Sequence, residues 1–388
     1  MNIKVLFRRV ILSISLLVMS CGGNVHDRHI PIEDFFDKPD HTSFKISPNG
    51  KWVAYLGLED HCKNIFILNL EHPDSSKQLT YQNSMNVQYY FWATDNTIVF
   101  SNAQSYQDSL RLYTVDIHSE KINTLLKPAK HSIKWLSPST AFDGHLLAQM
   151  NRRDSTVIDL YRIPLNGDEP ILVDKNVYNF NEWFVSSDGK VRLAISSDSV
   201  EDKLWYREEE GLPYQNVLET DFSSMVYPLG PVKDSKNTIY ALSNRGRDKV
   251  AVVNLDLNNG QEKILVSNKE VDMNGEGYSF TRQEILFSTT YRKKKETTVH
   301  NEALKNIYKS IASKFEGYSV DMIDLDSAFN TVLFRTYTDR NPGGIYYYHK
   351  GEIKELTPLN PSLRDKTLSH MEEVSFNSRD GKSIKGYI

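Results

Sequence analysis

A polar turn followed by an apolar strand recurs along this chain roughly every 44 to 48 residues, seven times over. The turns are Ser47-Pro48-Asn49-Gly50, Ala93-Thr94-Asp95-Asn96, a longer one ending Asp143-Gly144, and Ser187-Asp188-Gly189. Asp234-Ser235-Lys236-Asn237, Thr281-Arg282-Gln283 and Asp326-Ser327-Ala328 continue the series. The strands that follow share a character: KWVAYL from Lys51, TIVF from Thr97, HLLAQ from His145, KVRLAI from Lys190, TIYAL from Thr238, EILF from Glu284 and TVLF from Thr331. A second strand succeeds them, as in NIFILNL from Asn64, RLYTVDI from Arg111, DLYRIPL from Asp159, KVAVVNLDL from Lys249 and GIYYYHK from Gly344.

Short β-branched and aromatic runs bounded by turn residues are strands. Continuous apolar stretches suit sheets buried on both faces. A β-sandwich does not keep so regular a period, and a β-helix has a much shorter one. The pattern predicts an all-β fold, a seven-bladed β-propeller over residues 41–370. One stretch breaks it. Leu304, Ile307, Tyr308, Ile311 and Phe315 are spaced by three and four, which predicts an amphipathic helix inserted in the sixth blade. The basic run Arg292-Lys293-Lys294-Lys295 just before it reads as a solvated hairpin tip.

The N-terminus has a separate logic. Lys4, Arg8 and Arg9 precede the apolar run Val10 to Met19, too short to span a bilayer. The run closes on Val18-Met19-Ser20-Cys21-Gly22-Gly23, which resembles a bacterial lipoprotein signal. The resemblance implies cleavage after residue 20, lipidation of Cys21, a tether and lead-in over residues 21–40, and a place in the cell envelope. Gly22 lacks acidic character, so the outer membrane is the expected address. Only two cysteines exist, so an acylated Cys21 leaves Cys62 without a disulfide partner. Removing residues 1–20 takes three positive charges from a chain whose net charge is already −4. A mildly acidic surface argues against nucleic acid as a partner.

At the C-terminus, Glu373 to Asn377 and Lys382 to Ile388 flank Arg379-Asp380-Gly381, a hairpin pattern. This segment resembles the opening of the α/β-hydrolase domain of prolyl-oligopeptidase-type serine peptidases, which follows their propeller. Ile30-Pro31-Ile32-Glu33-Asp34-Phe35-Phe36 resembles the family's lead-in to its first blade, and Thr338-Asp339-Arg340-Asn341-Pro342-Gly343-Gly344 its last blade. The resemblance runs from about residue 30 to 388. It implies peptide hydrolysis by a Ser-His-Asp triad on the hydrolase, with the serine in a Gly-x-Ser-x-Gly elbow. No such elbow occurs here; Gly277-Tyr278-Ser279-Phe280-Thr281 lacks the second glycine. No catalytic residue is therefore assigned. Residues 371–388 are expected to be the first hairpin of a truncated hydrolase domain, and the chain alone is expected to be inactive.

Two other groups carry candidate chemistry. Dipeptidyl peptidases of the family hold a substrate's amino terminus with paired propeller glutamates, which makes Glu208, Glu209 and Glu210 candidate substrate contacts. Their bland alternative is a solvated acidic turn. Asp60, His61 and Cys62 are metal-ligand types, but no second pair stands at metal-site spacing, so neither metal nor cofactor is expected. Two functions follow: a non-catalytic, substrate-gating propeller that works on peptide with a hydrolase domain, or a stand-alone binding lipoprotein like the TolB-type propeller scaffolds.

Overall fold

The computed structural model describes residues 30–73, 75–103, 110–129, 132–136, 140–292 and 294–388. The signal-like segment and Cys21 lie outside them. Six four-stranded antiparallel sheets follow one another, each made of four strands consecutive in sequence. Their first strands are His41–Ile46, Asn86–Trp92, Ile133–Trp135, Phe180–Val185, Val226–Pro231 and Ser319–Leu325. The runs read as strands from the sequence form the second and third strands of these sheets, for example Trp52–Glu59 with Cys62–Asn69, except EILF from Glu284, which is divided between two short pairings outside them.

Those middle strands carry the core because both their faces are covered. Val53, Ala54, Ile65 and Ile67 are all essentially inaccessible. The core is a chain of clusters between neighbouring sheets. One joins Leu56 and Ile65 to Tyr90 and Phe100, the next Phe91 and Val99 to Leu146 and Tyr161. Others join Leu147 and Leu160 to Trp183 and Ala194, and Leu193 and Leu204 to Ala241 and Val253. The last cluster closes the ring, packing Phe44, Val53 and Tyr55 of the first sheet on Leu333 and Tyr347 of the sixth. Neither of these two sheets borrows a strand from the other. Polar bonds support the seam: Thr331 Oγ donates to Gly50 O at 2.8 Å, and Lys350 pairs with Glu71 at 3.2 Å.

A seven-bladed propeller was expected, and six four-stranded sheets are present among the described residues. Between Val266 and Ser319 the chain instead forms two short pairings, Tyr278–Ser279 with Glu284–Ile285 and Phe287–Tyr291 with Lys295–Val299, and then a helix. This helix, α1 (Glu302–Lys314), replaces further strand because its apolar residues repeat at helical spacing. Asn301 caps it, its side chain accepting the Leu304 N–H at 3.1 Å. Leu304 and Ile311 are buried against Leu286, Phe287, Val320 and Phe334.

The strand directions define two ends of the ring. At the proximal end lie the turns between second and third strands and the connections between sheets. There the lead-in and the chain leaving the last sheet are tied together. Asn360 Nδ2 donates to Asp34 O at 2.8 Å, and Ser362 Oγ donates to the Asp37 carboxylate at 2.6 Å. The C-terminal hairpin also sits here, since Met371 N donates to Asp339 at 3.0 Å and Tyr387 OH to Arg292 O at 2.7 Å. Its strands Glu373–Asn377 and Ser383–Tyr387 pair only with each other among the described residues. The distal end carries the turns between first and second strands, the repeat seen in the sequence.

Candidate functional site: the central channel

The first strands of the sheets line the ring axis, and two adjoining cavities lie between them. The larger, about 940 Å³, is bounded by Ser43 to Pro48, Gln88 to Trp92, Thr140, Thr281 and Ile323 to Leu325. The smaller, about 740 Å³, runs from Phe280 and Thr281 past Asp321 and Lys295 to Arg335 and Leu359. Thr281, Ile323, Asp324 and Leu325 face both. Ile323 reaches the channel because the pairing of the last sheet's first two strands skips a residue between Met322 and Asp324.

The polar wall of the larger cavity is built on a second bulge. Ser43 takes a left-handed φ of +59° where the pairing of His41–Ile46 with Trp52–Glu59 shifts. That turn exposes the Ser43 carbonyl, which accepts a hydrogen bond from Tyr90 OH of the next sheet. Trp92 Nε1 donates to the Lys45 carbonyl at 3.2 Å, and Lys45 Nζ lies 6.0 Å from the centre of the Tyr90 ring. Across the seam, Asp324 accepts the backbone N–H of Ile46 at 2.9 Å. Burial raises the Asp324 carboxyl above the ordinary range, against the opposing pull of the N–H bonds from Ile46 and Leu325 and of the Lys45 charge. Burial likewise raises the Tyr90 hydroxyl well above its usual value, and the charge on Asp324 adds to the shift.

The smaller cavity carries four charges. Lys295 Nζ is hydrogen-bonded to Asp321 and Glu276, and Arg335 Nε donates to the other Asp321 oxygen at 2.8 Å. Burial works against the Lys295 charge, but the bonds from Asp321 and Glu276 prevail and hold its pKa above the ordinary lysine value. Lys295 is thus a correction to the basic run read as a solvated tip. Arg292 and Lys294 are exposed, but Lys295 is only 8% exposed because it begins the strand Lys295–Val299 and turns inward.

The acidic candidates lie elsewhere. Glu208, Glu209 and Glu210 occupy the loop between the third and fourth strands of the fourth sheet, at the distal end. Glu210 binds inward: it pairs with Arg162 of the third sheet at 2.9 Å and accepts the Val191 N–H at 3.0 Å. Glu209 is exposed, 3.6 Å from both Lys190 and Arg192. Glu208 lines a separate cavity of about 280 Å³ with Tyr206, Arg207 and Leu212. The fold therefore separates the three glutamates rather than aiming them at one point. Asp60 and His61 form the proximal turn of the first sheet with φ of +50° and +65°, while Cys62 is buried beside them.

Of the channel charges only Lys295 was marked in the local sequence, and there as part of a solvated basic run. Glu276, Lys295, Asp321 and Arg335 are distant in sequence, and each is an ordinary charged residue of a strand or turn. Only the ring brings them together.

Comparison with known proteins gives this arrangement a context. No family model matches the chain. It is 23% identical over 367 residues to dipeptidyl aminopeptidase BIII of Pseudoxanthomonas mexicana, covering 91% of this chain and 52% of that protein. It is 23% identical over 399 residues to dipeptidyl peptidase family member 6 of Caenorhabditis elegans, covering 97% of this chain and 53% of the relative. The chain spans about half the length of the curated relatives it matches. Among solved structures, a prolyl endopeptidase superposes with a TM-score of 0.62 at 12% identity, over 91% of this chain and 54% of its own. A puromycin-hydrolyzing peptidase of Mycobacterium tuberculosis superposes with a TM-score of 0.60 at 12% identity, over 90% and 57%. At those identities the structures show the fold alone. The relatives carry the names of the peptidase family that the chain's lead-in, last blade and C-terminal hairpin resemble, and the match covers the propeller.

Proposed function

We propose that this chain is the substrate-gating propeller of a prolyl-oligopeptidase-type serine peptidase, working with a hydrolase domain seated on its proximal end. The observation that carries the reading is the character of that end. Phe222 is 89% exposed, Val177 74% and Tyr81 68%, and all three stand on connections between sheets. Ile32 and Phe36 of the lead-in and Phe376 of the C-terminal hairpin add to the same end. Apolar side chains gathered on one rim, around the mouth of a channel, suit a docked domain better than bulk water. The channel below them would admit a short extended peptide and exclude a folded protein. The 388 residues contain no Gly-x-Ser-x-Gly elbow, so the serine chemistry belongs on the partner domain.

The segment from Met273 to Phe315 serves in this reading as the sixth of seven positions around the ring. Asn274 bridges to Thr289, Tyr278 pairs with Ile285, and Phe287 pairs with Val299, giving three strands in blade order with α1 in place of the fourth. Tyr278 OH binds Pro231 O of the fifth sheet at 2.9 Å, and Arg282 binds Ser327 O of the last at 2.7 Å, so the segment touches both neighbours.

The purified chain is tested with a fluorophosphonate probe and with peptides of graded length. The expected result is no covalent labelling, with binding of short peptides and none of a folded protein. Labelling of these 388 residues overturns the reading. The envelope address is a separate proposal resting on Cys21. Metabolic labelling with an alkyne fatty acid should mark the chain in the membrane fraction, and Cys21→Ser should abolish the mark; an unchanged mark refutes it.

A further inference from the structure

We infer that His349 is an acid-sensitive latch on the seam that closes the ring: neutral, it holds the last sheet on the first, and protonated, it lets them part. His349 ends the third strand of the last sheet, Gly344–His349, opposite Thr331 of the second strand and at the distal end. Thr331 is fully buried, and its hydroxyl oxygen lies 2.8 Å from Gly50 O of the first sheet and 2.8 Å from His349 Nδ1. A carbonyl oxygen only accepts, so the single hydroxyl proton of Thr331 is committed to Gly50. His349 Nδ1 must then donate to Thr331, and the neutral imidazole carries its proton there. Nε2 is the bare nitrogen. It is buried and has no hydrogen-bond partner among the described residues.

Protonation therefore places a new N–H where nothing accepts it, and a positive charge beside Lys350. Burial lowers the His349 pKa and Lys350 adds to the shift, against the pull of Glu71, Asp326 and Glu352. Glu71 faces the histidine from the first sheet, Asp326 from the distal turn of the last sheet, and Glu352 from its fourth strand. Asp326 already accepts the Thr331 N–H at 2.6 Å. Glu71 is paired with Lys350 at 3.2 Å and also feels Lys51. A charged ring finds an acceptor for Nε2 only by swinging out of the seam. That movement withdraws the Nδ1 bond and unseats the hydroxyl that bridges to Gly50. No strand is exchanged between these two sheets, so the bridge and the neighbouring Lys350–Glu71 pair carry the polar hold at this end. A histidine with a lowered folded pKa contributes stability fully present above the unfolded value, about 6.5, and lost as pH falls through the folded value. Asp324, on the same seam, is raised and so titrates with the opposite sign. Glu71 is held below its ordinary value by Lys350 and stays charged where His349 titrates.

The test is hydrogen–deuterium exchange of the full chain, read by mass spectrometry at about pH 7.5 and about pH 5 and corrected for the intrinsic pH dependence of exchange. His349→Asn keeps a donor near the place of Nδ1 and cannot be charged. In the parent, peptides carrying Val53 of the first sheet and Leu333 of the last should exchange at least about threefold faster at the lower pH. Peptides carrying Leu160 and Ala194, at the seam of the third and fourth sheets, should not. In His349→Asn the rise at the closing seam should vanish. Where that variant fails to fold, His349→Gln takes its place, and the parent's own contrast between the two seams still decides. Equal rises in parent and variant overturn the latch, as does a rise shared by both seams or no rise at all. The readout is exchange at the seam alone, so its outcome stands apart from peptide binding and from the serine probe.

Discussion

The backbone N–H of Ile46 donates to the carboxylate of Asp324 at 2.9 Å, joining the first sheet's inner strand to the last sheet's across 278 residues of sequence. It is one of few directed bonds across a seam where no strand is exchanged. Asp324→Ala leaves that buried N–H without a partner and should cost about 1–3 kcal/mol in urea unfolding.

The same residue gives a pH signature. Burial raises its carboxyl. A group with a raised folded pKa favours the fold while protonated: its contribution is present below the unfolded pKa, about 3.9 for Asp, and is lost as pH rises through the folded value. Asp324→Asn cannot ionise. Its thermal midpoint relative to the parent should therefore improve as pH rises from about 4 towards neutrality. A difference that stays constant over that range counts against a buried, raised carboxyl.

Gly50 guards the distal side of the seam. Its φ is +72°, and a β-carbon there would come within 2.8 Å of the Asp326 carboxylate carbon. Its carbonyl also accepts the Thr331 hydroxyl. Gly50→Ala adds left-handed strain and displaces Asp326, and should destabilise by about 1–3 kcal/mol. Calorimetry of the purified chain checks it; a neutral substitution would mean the seam yields without cost.

Lys295 is the next test, because it is a buried cation holding two acids. Replacing it by Met removes the charge that Asp321 and Glu276 share. Arg335 still pairs with Asp321 and Glu276 reaches solvent, so the loss should sit near the low end for a broken buried pair, about 3 kcal/mol. Equilibrium unfolding measures it, and a stabilised Met variant would show that the cluster is retained for something other than stability.

The repeat, the middle strands and α1 were legible because each writes a local pattern. KWVAYL and NIFILNL are buried on both faces, and Leu304 to Phe315 keeps the helical period. The inner strands were not read, because a strand with one face on a channel mixes polar and apolar residues, as Asn86 to Trp92 does. The stretch from Val266 to Ser319 departs from the four-stranded pattern where helical spacing takes over. The site fared worst. Glu208 to Glu210 drew notice as a local acidic run, whereas Lys295 meets Asp321 only where the strand Lys295–Val299 packs on the last sheet's first strand.

That contrast makes the three glutamates a useful final test. Glu210 is bound to Arg162 and to the Val191 N–H, so it clips the third sheet to the fourth. Glu210→Ala loses a charged partner for both and should cost about 1.5–3 kcal/mol. Glu210→Gln keeps one acceptor and should cost less. Glu208 has no such partner among the described residues, and Glu208→Gln should stay within about 0.5 kcal/mol of the parent. A role in holding a peptide amine gives the opposite split: Glu208→Gln and Glu209→Gln would weaken binding of a free-amine dipeptide, and an N-acetylated one would not bind the parent. Calorimetric titration of both dipeptides against the three glutamine variants, beside their unfolding midpoints, separates a clip from a ligand site, because stability and affinity then move on different residues.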